Sequence, residues 1–282
     1  MTDNLFEIQP EWIGLDDRRL RHDLVPSPGK SEPSLAYNIN PEFMYHRHRV
    51  MLPPESIKGK TILDVGSCMG ATGAWCLHNG AAHYTGIEKF ERYANASEQL
   101  FQKYHNADQY DIKKCGIEEF ETDKKYDIVI VSGLLYAMLD SVGFLKKLSS
   151  FTDNKIIFDT VHPFNGYRRL FPTASDEERK RLSKLISITQ ITERIRMQGE
   201  KANGSVKVTG SMVSLPALII LMKQNGFEYL PELYTEAEKE IPYYYDITNH
   251  IRFMAEFNYI GKQVKEPEFK GFGEYVEVKH DW

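Results

Sequence analysis

The sequence predicts an α/β fold in which helices flank a mostly parallel sheet, and three observations lead to this prediction. From residue 60 onward, short apolar runs alternate with helix-like segments, which is the pattern of a doubly wound sheet. The first apolar run ends in a glycine-rich turn at residues 64–70, which leads directly into a helix. The run at residues 126–131 is almost continuously apolar, as is typical of a strand buried on both faces.

Apolar periodicity and turn residues predict the elements in chain order. Helical spacing favours helices at residues 41–52, 71–79, 91–104, 141–150 and 215–225. The glycine after residue 79 is typical of a helix end. Strands are predicted at residues 61–65, 83–88, 109–114, 126–131 and 155–160, then from residue 227 and at 252–260. The strand–helix–strand units predict right-handed crossovers.

Breaks in this rhythm predict the domain organisation. Residues 1–57, rich in turn residues, are expected to form an N-terminal arm or cap, and residues 58–162 the core. Residues 163–210 interrupt the alternation. There Ser175 and Glu178 fit a capping box, and a helical cap is expected after it, with an apolar stripe at Leu182, Leu185, Ile186 and Ile195. Residues 211–262 would complete the core, and residues 263–282 form a polar tail.

Composition narrows the class of protein. The 282 residues carry a formal net charge of −5, which argues mildly against nucleic acid as the main partner. No apolar stretch is long enough to span a bilayer, so no membrane partner is expected. Three cysteines without metal-ligand spacing suggest reduced thiols, and the start of the chain has no signal-peptide character. A cytoplasmic location is therefore expected, and the oligomeric state stays open.

The turn after the first strand predicts a nucleoside-binding site. It reads Asp64-x-Gly66-x-x-x-Gly70, and the next strand ends in Glu88, an acid placed to accept hydrogen bonds from ribose hydroxyls. A dinucleotide fingerprint would need a glycine where Cys68 stands, so that pattern is broken. An oxidoreductase is disfavoured for the same reason.

The pattern of Asp64, Gly66, Gly70 and Glu88 resembles the cofactor motif of class I S-adenosylmethionine-dependent methyltransferases. The resemblance implies a Rossmann-like seven-stranded sheet, mostly parallel with one antiparallel strand, here with a helical cap. It also implies S-adenosylmethionine as cofactor and S-adenosylhomocysteine as product. The cofactor carries an ammonium and a carboxylate, which suit a turn carboxylate and backbone N–H groups respectively. The implied contacts in this region include Ser67 and Lys89 as well.

Two later segments resemble the same superfamily. The loop after the third strand is implied to contact adenine through Gly116 and Ile117, although the acid common there is missing unless the register shifts to Glu118. The exit of the fourth strand places Ser132 and Gly133, two small residues, where a cofactor can approach closely.

Two residues are candidates for catalysis. Tyr136 follows the fourth strand and could shape the methyl-transfer site, although Ala137 stands where related enzymes often have histidine. His162 follows the fifth strand and could act as a general base, because a neutral imidazole titrates near physiological pH. Asp159, at the same strand end, is expected to point toward the substrate. No metal is expected, since Ser132 replaces the acid of metal-dependent relatives.

The function predicted from these residues is methyl transfer to a small molecule by in-line displacement. Two alternatives stay open. One is methylation of RNA or tRNA, which would require a basic face and salt-sensitive binding. The other is a non-catalytic protein that binds S-adenosylmethionine and serves as a partner, for which a closed pocket above Ser132 would argue.

Overall fold

The structure is a computed structural model of the whole chain. One seven-stranded sheet forms its centre, and a separate two-stranded sheet lies beside it. The residues described below are 4–13, 41–161, 184–196, 205–241 and 252–261, together with single positions between 163 and 181.

The main sheet confirms the predicted fold class. Its strand order is β3-β2-β1-β4-β5-β9-β8, and β9 runs antiparallel to both of its neighbours while the other pairs are parallel. The strands are β1 (Thr61–Val65), β2 (His83–Ile87), β3 (Tyr110–Lys113), β4 (Ile128–Ser132), β5 (Lys155–Val161), β8 (Phe227–Leu230) and β9 (Arg252–Tyr259). The order reverses between β1 and β4, so the carboxyl ends of these two strands diverge to form a crevice.

Helices cover both faces of this sheet. They are α1 (Leu5–Ile8), α2 (Pro41–Met51), α3 (Pro54–Ile57), α4 (Ala71–His78), α5 (Glu91–Tyr104), α6 (Ser141–Ser149), α7 (Leu215–Gln224) and α8 (Glu232–Glu240). Apart from the helix expected after Ser175, the helices and strands predicted from the sequence are present, with ends within two residues of the expected ones. Only α1, α3 and α8 among these helices were not predicted, because each is short or dominated by polar residues.

Alternation along the strands divides the core into two halves. Ile62, Ile128 and Ile130 pack on the face covered by α2 and α4, whereas Leu63 and Val129 pack on the opposite face. Successive side chains of a strand point to opposite faces, so a strand buried on both sides needs apolar residues at every position. This requirement explains the continuous apolar run of β4.

Local hydrogen bonds determine where several helices begin. The Asp140 carboxylate accepts a hydrogen bond from the Gly143 backbone N–H at the start of α6. The Ser214 hydroxyl does the same for the Ala217 N–H at the start of α7. Such caps satisfy backbone donors that have no partner within the helix.

The start of the N-terminal arm is part of the core. Trp12 lies in a short 3₁₀ turn, Pro10–Ile13, and is fully buried against the Phe101 ring, with centroids 5.1 Å apart. The Glu11 carboxylate binds Lys103, which lies in α5 together with Phe101. Burying a tryptophan side chain supplies a large apolar area, which holds residues 4–13 against α5.

The prediction of a helical cap at residues 163–210 is wrong over its second half. Residues there form β6 (Ile188–Arg196) and β7 (Ser205–Val213), an antiparallel pair. The stretch that forms β6 is rich in isoleucine and threonine, whose branched side chains favour strands, and pairing with β7 satisfies its backbone. The capping box is confirmed: the Ser175 and Glu178 side chains and backbone N–H groups bond reciprocally.

In the described part of the chain, no helix is both long enough and apolar enough to cross a membrane.

Candidate functional site

The glycine-rich turn after β1 lies at the carboxyl edge of the sheet. Gly66 and Gly70 have φ angles of +81° and +85°, and Cys68 between them has φ +49°. A side chain on Gly70 would place its Cβ 2.4 Å from the Ser97 hydroxyl, so only glycine fits. The two glycines therefore allow a turn conformation that residues with a side chain would adopt only with strain.

Glu88 supports this turn from β2. One carboxylate oxygen accepts a hydrogen bond from the Cys68 N–H at 2.9 Å, and the other accepts one from the Phe90 N–H at 2.7 Å. Its side chain is buried, and burial raises its pKa although these hydrogen bonds oppose the rise. Glu88 thus stabilises the left-handed conformation of Cys68 in the turn.

Asp64 is a buried carboxylate at the base of the turn. It accepts a hydrogen bond of 2.8 Å from the Tyr84 hydroxyl. Burial raises the pKa of Asp64 to about 7, against the lowering effect of Tyr84 and of the nearby Arg47 guanidinium. A cation bound beside Asp64 would favour its ionised form.

The exits of β4 and β5 meet at the same edge. Ser132 ends β4, and the Gly133 N–H donates to the Asp159 carbonyl of β5 at 2.8 Å. A 3₁₀ turn, Leu135–Ala137, follows and carries Tyr136. Because parallel strands end at one edge of the sheet, these residues lie opposite the turn after β1.

A buried ionic cluster links three elements beneath this edge. Asp159 is fully buried and accepts hydrogen bonds from the Nε of Arg47 at 2.8 Å and the Nε of Arg252 at 2.7 Å. Arg47 also bonds Ser132, and a second nitrogen of Arg252 donates to the Asp159 carbonyl. The two guanidiniums hold the pKa of Asp159 well below its usual value despite burial.

This cluster corrects one expectation. Asp159 does not reach a substrate, because its carboxylate is fully buried and engaged by two arginines. It binds Arg47 and Arg252, and both of these residues line the crevice. Asp159 at the end of β5 therefore fixes the positions of two arginines that line the cavity.

The elements enclose a cavity of about 280 Å³ at the crevice. This volume lies near the lower end of small-molecule sites, which span roughly 300–1,000 Å³. It is lined by both charged and apolar side chains, and its lining residues are Trp12, Met44, Arg47, Asp64, Gly66, Ser67, Cys68, Met69, Ala71, Thr72, Ser132, Gly133, Tyr136 and Arg252. Among the described residues, Ser132 thus lies in the lining of a cavity.

The structure brings together six of the residues predicted from the sequence, which line this cavity: Asp64, Gly66, Ser67, Ser132, Gly133 and Tyr136. The other predicted contacts that are described lie around it. Gly70 begins α4, Glu88 lies behind the turn, and Lys89 is exposed. Gly116 and Ile117 lie in the loop after β3, with the Ile117 side chain in the core. His162 lies outside the described residues.

Sequence reasoning missed the two arginines as site residues, and it named none of the individual residues through which the predicted N-terminal arm or cap lines the cavity, Trp12 and Met44 among them. The sequence contained a signal for the burial of Arg47. It lies three residues after Met44 and four before Met51, so it is on the same face of α2 as these two buried methionines. Arg252 begins a strand that is otherwise apolar and buried, which is also unusual for a charged residue. Neither signal identifies the partner, since Asp159 is 112 residues from Arg47 and 93 from Arg252.

Among the described residues, no group of three or more histidine, cysteine or acidic side chains could hold a metal ion.

Comparison with known proteins places this geometry in a fold family. Solved structures of methyltransferases superpose on most of the chain. Magnesium protoporphyrin IX methyltransferase from Synechocystis, solved with bound S-adenosylhomocysteine, matches 90% of this chain and 98% of its own, with a TM-score of 0.53 and 13% identity. The chain has the class I S-adenosylmethionine-dependent methyltransferase fold. An S-adenosylmethionine-dependent methyltransferase from Mesorhizobium loti also matches, over 76% of this chain and 96% of its own, with a TM-score of 0.50 and 11% identity.

Similarity in sequence to proteins with this methyltransferase fold is local. No protein-family model matches the chain. A curated relative, (S)-tetrahydroprotoberberine N-methyltransferase from Eschscholzia californica, is 29% identical over 102 residues. The match covers 36% of this chain and 29% of the relative, so the chain spans less than a third of that relative's length.

Proposed function

We propose that this chain is an S-adenosylmethionine-dependent methyltransferase whose acceptor is a small molecule. The observation that carries the proposal is the cavity at the carboxyl edge of the sheet. It joins the glycine turn and Asp64 on one side to Ser132, Gly133 and Tyr136 on the other. In this fold such a crevice is where a nucleoside-bearing ligand binds.

The residues present fit the cofactor. Asp64 is a buried acceptor for the ammonium, and Arg47 is close enough to Asp64 to affect its pKa. We assign the cofactor carboxylate to the Arg47 guanidinium, because guanidinium and carboxylate form a charge-assisted pair. The positive φ angles of Gly66 and Gly70 hold the turn in a shape that leaves room for the ligand. The magnesium protoporphyrin IX methyltransferase with this fold was solved with S-adenosylhomocysteine, which agrees with the assignment.

The protein's contribution to the reaction would be alignment. When bound, S-adenosylmethionine supplies an electrophilic methyl group that is transferred by in-line displacement. The chain then needs to orient the acceptor, exclude water, and accept a proton only if the acceptor must lose one. Tyr136 lines the cavity and is the described candidate for contact with the acceptor. The proton-accepting role predicted for His162 stays a prediction.

A small-molecule acceptor is favoured by the apolar residues in the lining of the cavity. Trp12, Met44 and Met69 are among them. The relatives named above include an N-methyltransferase acting on a tetrahydroprotoberberine and a methyltransferase acting on a porphyrin. The net charge of −5 also disfavours an RNA acceptor.

Thermal unfolding of the full chain tests the cofactor assignment. S-adenosylhomocysteine at about 100 times its dissociation constant should add about 2.7 kcal/mol of stability. NAD should add none. Arg47→Gln should weaken the effect, whereas Arg49→Gln, which removes the same charge from the exposed side of α2, should preserve it. Absence of any shift with S-adenosylhomocysteine and S-adenosylmethionine would refute the proposal.

Transfer of a labelled methyl group distinguishes the acceptors. A metabolite extract should become labelled, whereas total tRNA should not. Label in tRNA alone would replace the small-molecule proposal with RNA methylation.

A further inference from the structure

The hydroxyl of Tyr84 reaches the candidate site from inside the core. Tyr84 lies in β2 and is fully buried, and its hydroxyl donates to the Oδ2 of Asp64 at 2.8 Å. Asp64 lines the cavity, whereas the Tyr84 ring belongs to the half of the core that α2 and α4 cover. This hydrogen bond therefore joins the core to a residue of the site.

Two glycines leave the space that the Tyr84 ring occupies. A Cβ on Gly73 of α4 would lie 2.5 Å from both the Cε1 and the Cζ of Tyr84, and a Cβ on Gly86 of β2 would lie 3.0 Å from the Cε1. Glycine is unfavourable inside a helix and inside a strand, so both positions lose local stability to admit this ring. Phe101 stacks on the ring with centroids 5.4 Å apart. The ring, and with it the hydroxyl, is held in one position.

Packing alone does not require the hydroxyl of Tyr84. A phenylalanine would fill the same space, and a buried hydroxyl is unfavourable unless it is hydrogen-bonded. Burial and the neighbouring Asp64 hold the pKa of Tyr84 well above its usual value, so the hydroxyl stays a donor at neutral pH. A donor fixed beside a carboxyl group favours the ionised form of that group over the neutral acid.

Other titratable groups lie close to Asp64 in the described part of the chain, and they are Arg47, Cys68, Cys76 and Glu88. The arginine lowers the pKa of Asp64 and the glutamate raises it. Burial raises the pKa of both thiols, so neither carries a charge at neutral pH. Of the described residues, Tyr84 is the one that hydrogen-bonds to the Asp64 carboxylate directly.

We propose that Tyr84 is a positioning residue of the cofactor site, whose hydroxyl holds Asp64 ionised and oriented for the cofactor ammonium. The inference rests on the proposed function and adds a residue that acts through Asp64. The hydrogen bond to Oδ2 leaves Oδ1 for a ligand in the cavity. Without the hydroxyl, the neutral acid persists to higher pH, and the ammonium then lacks its counter-charge.

Tyr84→Phe tests this role, because it removes the hydroxyl and keeps the ring. The probe is S-adenosylhomocysteine, which retains the ammonium of the methyl donor. Loss of the hydrogen bond should raise the pKa of Asp64 from about 7 to about 8. Titration calorimetry of the full chain should then show an affinity about tenfold lower than that of the unaltered chain at pH 6, and less than about twofold lower at pH 8.5. A loss of equal size at both pH values, or no loss at pH 6, would overturn the inference.

Tyr126→Phe is the matched control. Tyr126 is also buried, but it lies in the opposite half of the core from Tyr84. Its variant removes a buried hydroxyl without touching Asp64, so the affinity at pH 6 and at pH 8.5 should stay within about twofold of that of the unaltered chain. If Tyr126→Phe reproduces the pH-dependent loss, the effect does not come from the bond between Tyr84 and Asp64, and the inference fails.

Carbon NMR of the unaltered, ligand-free chain gives a measurement that does not depend on the folding of Tyr84→Phe. With tyrosine labelled at Cζ and aspartate at Cγ, the Tyr84 signal should shift with the same midpoint, near pH 7, as the Asp64 signal. This response of Tyr84 should disappear in Asp64→Asn. A Tyr84 signal that stays constant between pH 6 and pH 8 would overturn the inference.

The same experiments separate this inference from the proposed function. If the unaltered chain does not bind S-adenosylhomocysteine, the proposed function is refuted and the inference falls with it. If the chain binds S-adenosylhomocysteine while Tyr84→Phe shows no pH-dependent loss, only the positioning role of Tyr84 is refuted.

Discussion

Replacing Asp159 with asparagine should strongly destabilise the protein, because Asp159 is the shared counter-ion of two buried arginines. Its Oδ2 accepts from Arg47 and from the Ser132 hydroxyl, and its Oδ1 accepts from Arg252. Asparagine has the same size, but one of its two terminal atoms is an amide nitrogen. That nitrogen would direct N–H groups at a guanidinium, and two buried positive charges would have no carboxylate between them.

The magnitude follows from the burial of the cluster. Asp159 is fully buried, and the side chains of Arg47 and Arg252 are about one-tenth exposed. Removing one partner from a buried ion pair costs about 3–5 kcal/mol. At about 2–4 °C per kcal/mol for a domain of this size, Tm should fall by roughly 6–20 °C. Because the pKa of Asp159 is lowered in the folded state, its contribution is complete at neutral pH and is lost only in acid.

Equilibrium denaturation at neutral pH measures this loss, with Asp153→Asn as the matched control. Asp153 forms an ion pair with Lys125, and both side chains are about half exposed. An exposed pair contributes about 0–1 kcal/mol, so this control should change stability little. If Asp159→Asn costs no more than Asp153→Asn, the buried cluster does not hold α2, β5 and β9 together, and the account given for the site is refuted.

Two further predictions concern the cofactor turn. The pKa of Asp64 is about 7, and an ammonium group bound beside it favours its ionised form, so affinity for S-adenosylhomocysteine should fall about tenfold between pH 8 and pH 6. Titration calorimetry of Asp64→Asn should give a weaker affinity that no longer depends on pH in this range. A pH dependence retained by the variant would contradict this assignment. Gly70→Ala should lower the free energy of unfolding by more than about 1 kcal/mol beyond the loss in Gly59→Ala, because both glycines have positive φ angles but only the Cβ at position 70 would meet the Ser97 hydroxyl. Equal losses in denaturant unfolding would show that crowding at this position is unimportant.

Local sequence determined most of the main sheet and of the cofactor turn. The alternation of apolar runs and helical segments predicted the strands and helices, because each strand buried on two faces requires apolar residues at every position. The turn was predicted because Gly66 and Gly70 are at positions where the backbone needs positive φ angles. Both signals lie within a few residues of the feature that they predict.

The insertion shows where local patterns fail. The stripe of apolar residues that ends at Ile195 is compatible with a helix, but in the structure residues 188–196 pair with β7. Pairing between distant segments outweighs weak helical periodicity when the stretch is rich in β-branched residues. The capping box at Ser175 predicted the start of a helix correctly because its hydrogen bonds are local.

The sequence by itself determined the fold class and the side of the site that faces the proposed cofactor, because Asp64, Gly66 and Gly70 are neighbours in the chain. Only the tertiary structure decided which charged side chains complete the opposite side. It places Arg47 from the N-terminal region and Arg252 from the last strand on the same buried carboxylate, Asp159. The physical reason is that a buried charge must find a counter-ion in space, whatever the distance along the chain.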